Sequence, residues 1–281
     1  MDMRILIYIV IVGLCWGCQN NKIEKLYYES GKPKFEVEFS NGLMNGYHKE
    51  FHENGNLKTL TYYDNGNISD SIIGYFDNGN IEFIQFRTNG IDSIYTFDKK
   101  DKFINSKSKV INHQINGWRH YFNEKGEVIS KIEFIDLLED EPYINQGIYF
   151  DDNKNIIDSL SAYYMINVRD TLKANKSYPI KFIYKPTLSK ASKVYVCYGS
   201  GINENYSNIN KIRLDTLVLE DFELTTTIKL SNIGKHNFRG FFYEKYVAYS
   251  PSEKNDSLVT ISTKSNKMYF DFEVFVAGDD I

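Results

Sequence analysis

The chain has little cysteine, little proline and no helical stretch, and each scarcity excludes something. Of three Cys, Cys15 and Cys18 close the first apolar run and only Cys197 lies in the body of the chain. An intramolecular disulfide framework is thereby ruled out, so stability must come from packing, for which the length is ample. No segment spaces its apolar residues by three and four over three turns, so helix is not expected in the mature chain. Without a helix, no glycine-rich loop can cradle phosphate at a helix start. The longest apolar run is the ten residues from Ile5 to Leu14, about half of the ~20 that a membrane-spanning helix needs.

What the chain has is tyrosine and phenylalanine, 22 and 19 of them, residues that suit half-buried β surfaces. They recur in a phrase: YYESGK at Tyr27, FHENGNL at Phe51, YFDNGNI at Tyr75, YFNEKGEV at Tyr121 and, loosened, YFDDNKNI at Tyr149. Asn-Gly between such runs predicts a hairpin with a type I′ turn, which needs positive φ at both central residues. Gly31, Gly55 and Gly79 stand 24 residues apart, and Gly126 stands 47 beyond the third, which places a decayed copy near Lys102. Four residues before each glycine comes Tyr27, Phe51, Tyr75 or Phe122, and two after it Pro33, Leu57, Ile81 or Val128. Alternation sets Tyr47, Lys49 and Phe51 on one face and His48, Glu50 and His52 on the other, and the aromatic face is assigned to the core. Gly46 and Gly117 are expected to admit close approach of the next layer.

On Gly46, Phe51, Asn54, Gly55 and Leu57 this pattern resembles the bacterial MORN-variant repeat, G-x-x-x-x-[YF]-x-x-[NKD]-G-x-[LIV], over roughly residues 27–160. The resemblance implies an elongated, single-layered antiparallel sheet that serves scaffolding or surface binding. For some bacterial members it carries an antitoxin label, and it brings no catalytic residues.

Residues 1–17 read as a leader: Arg4, the apolar run, then Gly17 before Cys18. That ending resembles the lipobox of bacterial lipoproteins and implies lipidation of Cys18, with ordinary secretion as the alternative. Residues 18–26 would be a tether, 27–164 the repeats and 165–281 a second domain. Around Met165 the repeat signature stops, and longer runs without Asn-Gly punctuation begin at Tyr178, Lys193, Lys211, Glu223, His236, Ser257 and Met268. Seven such strands suggest an immunoglobulin-like β-sandwich, with Pro251 and Gly201 in loops. The expected fold is all-β throughout.

Residues 18–164 carry 16 Lys and Arg against 23 Asp and Glu, net −7, whereas 165–281 carry 16 against 13, net +3. An acidic repeat face disfavours nucleic acid and anionic headgroups. His48 and His52 would lie about 13 Å apart on a strand at ~3.3 Å per residue, too far to share a metal. His113 and His120 lack a third ligand. The run Asp151–Asn155 lacks the Gly and Glu of a calcium loop. Asp136, Glu139, Asp140 and Glu141 read as a solvated acidic loop, Ser200 as a turn residue, and Cys197 as a small hydrophobe rather than a nucleophile paired with His236.

These observations converge on a non-catalytic envelope lipoprotein with no cofactor, no metal and no small-molecule substrate, anchored through Cys18 and placed at the outer membrane. Its repeats would scaffold or dock, its sandwich would bind a protein partner, and Tyr62, Tyr63 and Tyr95 are the candidate contacts. The alternative is an antitoxin or immunity protein acting in the periplasm or at the cell surface.

Overall fold

The computed structural model describes residues 21–278 except 89–90, 101, 112–113, 139–140 and 253–254. The leader with Cys18, His113, and Glu139 and Asp140 therefore lie outside the described residues. All regular structure among these is β, apart from a 3-10 turn at Ile209–Lys211. The chain divides into two compact units, one holding residues up to 111 with 124–126, the other 112–123 with 127 onward.

In the first unit eight antiparallel strands follow chain order, each paired with the next: β1 (Asn21–Tyr27), β2 (Pro33–Ser40), β3 (Leu43–Phe51), β4 (Leu57–Asp64), β5 (Asn67–Tyr75), β6 (Ile81–Thr88), β7 (Ile91–Phe97) and β8 (Ile104–Ile111). One 24-residue period is two strands and two turns of different kinds. At Asn41-Gly42 and Asn65-Gly66 both residues take positive φ, 53° and 82°, then 48° and 83°, as a type I′ turn requires. The phrase turns differ from that expectation. At Gly55, His52 N–H donates to Asn56 O and Gly55 N–H to His52 O, both at 2.8 Å, and only Gly55 (φ 97°) is left-handed. This is a type I turn followed by a glycine bulge, because three residues separate His52 from Asn56 where type I′ needs two.

The predicted aromatic and aliphatic positions meet across each phrase turn: Tyr27 opposes Pro33, Phe51 opposes Leu57, and Tyr75 opposes Ile81. One residue further along, each ladder carries an extra, exposed residue: Lys34, Lys58, Glu82 and, in the decayed copy, Asn105. The decayed copy keeps its hairpin, with Phe97 opposing Ile104 and Lys102 (φ 61°) in the left-handed place.

The second unit opens with β9 (Gln114–Ile115), β10 (Gly117–Phe122), β11 (Val128–Ile135) and β12 (Tyr143–Tyr149), in which Phe122 opposes Val128 and Ile129 is the extra residue. The loosened copy turns on Phe150, which bridges Ile156, with Lys154 (φ 67°) where a glycine would stand. Then come β13 (Tyr164–Asn167), β14 (Thr171–Lys173), β15 (Ser177–Tyr184), β16 (Lys193–Tyr198), β17 (Asp215–Leu219), β18 (Glu223–Lys229), β19 (Gly234–Ser252) and β20 (Asn255–Ala277). They form a sheet β13-β15-β18 and a sheet β14-β20-β19-β16-β17, with Phe182, Tyr184, Val196, Phe242, Phe270 and Val274 packed between them.

Eight strands replace the seven expected in this region. The runs from Ser257 and Met268 are one strand, since pairing with β19 carries the polar residues Ser265–Lys267 through without a break. Pro251 lies in β19 near its end rather than in a loop, and the run from Lys211 becomes strand only at Asp215. The end of β20 alternates, with Phe270, Val274 and Val276 buried and Asp271, Glu273 and Phe275 exposed.

Candidate functional site

A single-layered sheet has two faces to account for, and in the first unit they differ. Cross-strand register sets Lys49 beside Leu60, Leu60 beside Ile73, Ile73 beside Ile84, Ile84 beside Tyr95 and Tyr95 beside Lys107. The result is one row of four half-buried apolar side chains with a lysine at each end, about 24 Å long at ~4.8 Å per strand. Beside the row, on the same face, Tyr47 (45% exposed) and Tyr62 (42%) meet edge to face at 5.2 Å, and Phe86 (43%) meets Tyr95 likewise at 5.9 Å. Lys107 Nζ stands 5.0 Å from the Tyr95 ring and Lys49 Nζ 5.9 Å from that of Tyr47. These are cation–π distances that keep ammonium groups at the rim of an apolar strip.

The opposite face mixes small and polar side chains with the apolar residues Phe35, Tyr63, Ile72, Phe83 and Ile94. Thr61, Ser106, Ser108 and Asp92 are buried there, and Gln85 Nε2 donates to Asp92 Oδ2 at 2.7 Å. The Phe83 ring lies over Gly74, where no Cβ could fit. His48 sits between the rings of Phe35 and Tyr63 at 5.8 and 6.1 Å. Of the three candidate tyrosines, Tyr62 and Tyr95 therefore share the open face and Tyr63 does not. The aromatic face assigned to the core is instead the more open one at Tyr47, and the extra residue Lys58 on β4 breaks the alternation between Thr59 and Leu57. A bulge is not visible to a period-two count.

The repeat-defining residues Gly31, Gly55, Gly79 and Gly126 all have positive φ with open space around them, and Tyr75 and Ile81 close their hairpin as Phe51 and Leu57 do. At Gly46 the space a Cβ would need is filled by the Glu38 side chain of the neighbouring strand rather than by another layer. Gly117 has φ 87° and no neighbour within 4 Å of where its Cβ would stand. His52 is structural: its Nε2 bonds Tyr75 O in the next repeat at 2.8 Å, as Tyr28 Oη donates to Phe51 O at 2.6 Å.

In the second unit the most unusual group is one that sequence reading did not single out. Glu244 is fully buried and accepts from Thr187 N–H (2.9 Å), Thr187 Oγ1 (2.6 Å), Leu188 N–H (2.9 Å) and Tyr184 Oη (3.1 Å). Burial pushes its carboxyl up, but these bonds together outweigh it and hold the group below the usual carboxylate range. The signal lay in alternation, which sets Glu244 on the inward face with Phe242 and Gly240.

Cys197 is buried, its Sγ accepting from Thr216 Oγ1 at 3.8 Å, and burial pushes its thiol up. It opposes Phe241, five residues along β19 from His236, or about 16 Å at ~3.3 Å per residue. The Asp151 carboxylate caps its own turn through Asn153 N–H and Asn155 N–H at 2.9 and 2.8 Å, and these bonds lower its pKa, Asn155 first. Asp136 accepts from Leu138 N–H at 2.8 Å. Among the described residues no group of three or more His, Cys, Asp or Glu could hold a metal ion, and no helix is long and apolar enough to cross a membrane.

No protein-family model matches the sequence, and neither a curated protein nor a solved structure matches it.

Proposed function

We propose that this chain is a non-catalytic lipoprotein of the bacterial cell envelope, acylated at Cys18 and held at the outer membrane. Its MORN-variant-like hairpin sheet docks a protein partner, and its C-terminal sandwich acts as a binding head. The observation that carries the docking role is the row Leu60–Ile73–Ile84–Tyr95, left open beside Tyr62 and Phe86 on a single-layered sheet. An apolar strip of this extent with a charged rim is the composition of an interaction surface. The anchor is carried by Gly17-Cys18 at the end of a ten-residue apolar run.

Fractionation of cells expressing the wild type or Cys18→Ala tests the anchor. The wild type is expected in the outer-membrane fraction and the variant in the soluble one. A variant that stays with the membrane would refute lipidation at Cys18.

A further inference from the structure

The open face of the first unit contains a hollow at its type I′ end, of about 490 Å³, bounded by Ile23, Glu38, Ser40, Asn45, Gly46 and Tyr62. Gly46, having no side chain, leaves room for the Glu38 side chain that lines the hollow, and its φ of 114° is one that other residues rarely adopt. The volume falls within the ≈ 300–1,000 Å³ of small-ligand sites, but the wall is as polar as it is apolar. Glu38 Oε2 accepts from Tyr47 N–H at 3.0 Å, which fixes the carboxylate at the rim. The Tyr62 ring forms one wall and is held edge-on by Tyr47. Ser40 is 8% exposed, and its hydroxyl has no hydrogen-bond partner. A buried hydroxyl without a partner costs free energy that a seated ligand group would recover.

A ligand for this hollow needs an apolar face for the Tyr62 ring and groups that both donate and accept, to suit the Asn45 amide, the Ser40 hydroxyl and the acceptor Glu38. Sugars combine a C–H face with hydroxyls of that kind. Lys22 is already paired with Glu24 at 2.7 Å, so among the described residues the charge at the rim without an ion pair is that of Glu38, which repels an acidic ligand. We propose that the hollow between Glu38, Asn45 and Tyr62 is a binding site for a neutral saccharide. It stands on these residues alone and requires neither the lipid anchor nor the protein-docking row.

The test is binding of the full chain, in detergent, to an array of neutral and acidic glycans, with Tyr62→Ala, Asn45→Ala and Lys109→Ala compared. The expected result is binding to at least one neutral saccharide, at least tenfold weaker in Tyr62→Ala and in Asn45→Ala and unchanged in Lys109→Ala, which lies on the same face away from the hollow and outside the docking row. Tyr62→Phe, which keeps the ring and the fold, should retain most of the signal. Absence of binding across the array, preference for acidic glycans, or binding indifferent to Asn45→Ala would each overturn the proposal. Because Asn45 lies off the apolar row, loss of sugar binding in Asn45→Ala leaves protein docking intact, so the two sites fail separately.

Discussion

Glu244 keeps a charge inside the sandwich on hydrogen bonds alone, with no Lys or Arg paired to it among the described residues. Three of its four donors come from Thr187 and Leu188, so the carboxylate ties the segment after β15 to β19. Glu244→Gln replaces one charge-accepting oxygen with a donor facing donors and should cost about 2–3 kcal/mol at pH 7. The folded carboxyl lies below its unfolded value of about 4.3. Its contribution is therefore present above that value and lost as pH falls through the folded one. Urea melts should show wild type and variant well separated at pH 7 and converging toward pH 3. Lys154 presents the opposite case, an exposed residue in a left-handed conformation whose nearest carboxylate, Glu127, is 3.6 Å away and contributes little. Relief of that strain by Lys154→Gly, less the entropy cost of a glycine, should stabilise by roughly 0.5 kcal/mol, raising Tm by ~1–2 °C.

At the scale of elements, the 24-residue period is a pair of unlike turns, and sequence reading recognised only one of them. The phrase around Gly55 was legible because its aromatic and aliphatic neighbours repeat, and the pairing of Phe51 with Leu57 follows from their spacing. Asn41-Gly42 and Asn65-Gly66, at the same 24-residue interval, are equally plain, and YYDNGNI at Tyr62 repeats the aromatic pair of the phrase itself, so this second turn was legible and was passed over. The bulge residues Lys34, Lys58, Glu82, Asn105 and Ile129 were not legible, since nothing in their types distinguishes an extra residue from a ladder partner. The face assignment at Tyr47 failed because aromatic side chains stand on both faces, Tyr47 and Tyr62 on one and Phe35, Tyr63 and Phe83 on the other. In the second unit, a count of apolar runs broke β20 at Ser265–Lys267, where the pairing partner rather than local composition decides.

Long as it is, β19 is supported unevenly. From Gly240 to Lys245 it lies between β16 and β20, whereas Tyr246–Tyr249 pair only with β20. An isolated two-stranded ribbon is marginal in water. Amide hydrogen exchange should therefore be markedly faster at Val247 and Tyr249 than at Phe242 and Glu244, although one strand contains all four. Uniform protection along β19 would show that something else covers the ribbon.

Over the whole molecule, the change of sequence style and the division of packing fall at different places. The repeat phrase continues, loosened, to Tyr149–Ile156 and stops before Met165, while the second compact unit begins near residue 112 and takes in β9–β12. Within that unit the Asn145 amide serves β20 as a neighbouring strand would, donating to Tyr269 O at 2.7 Å and accepting Tyr269 N–H at 2.6 Å. Turn chemistry is written in short phrases, but a side-chain amide docked on a strand 124 residues away leaves no local trace. The docking role was only partly legible: tyrosine enrichment pointed to Tyr62, Tyr63 and Tyr95, and register alone separates the two that share the open face.

That face is the centre of the functional account, and site-specific photo-crosslinking in intact cells tests it most directly. A benzophenone side chain placed at Ile84, within the apolar row, should give a single adduct of defined mass on irradiation. The same group at Gln85, one residue along on the opposite face, should give none. Adducts of equal yield at both positions, or none at Ile84, would contradict the assignment of the Leu60–Tyr95 row as the docking surface.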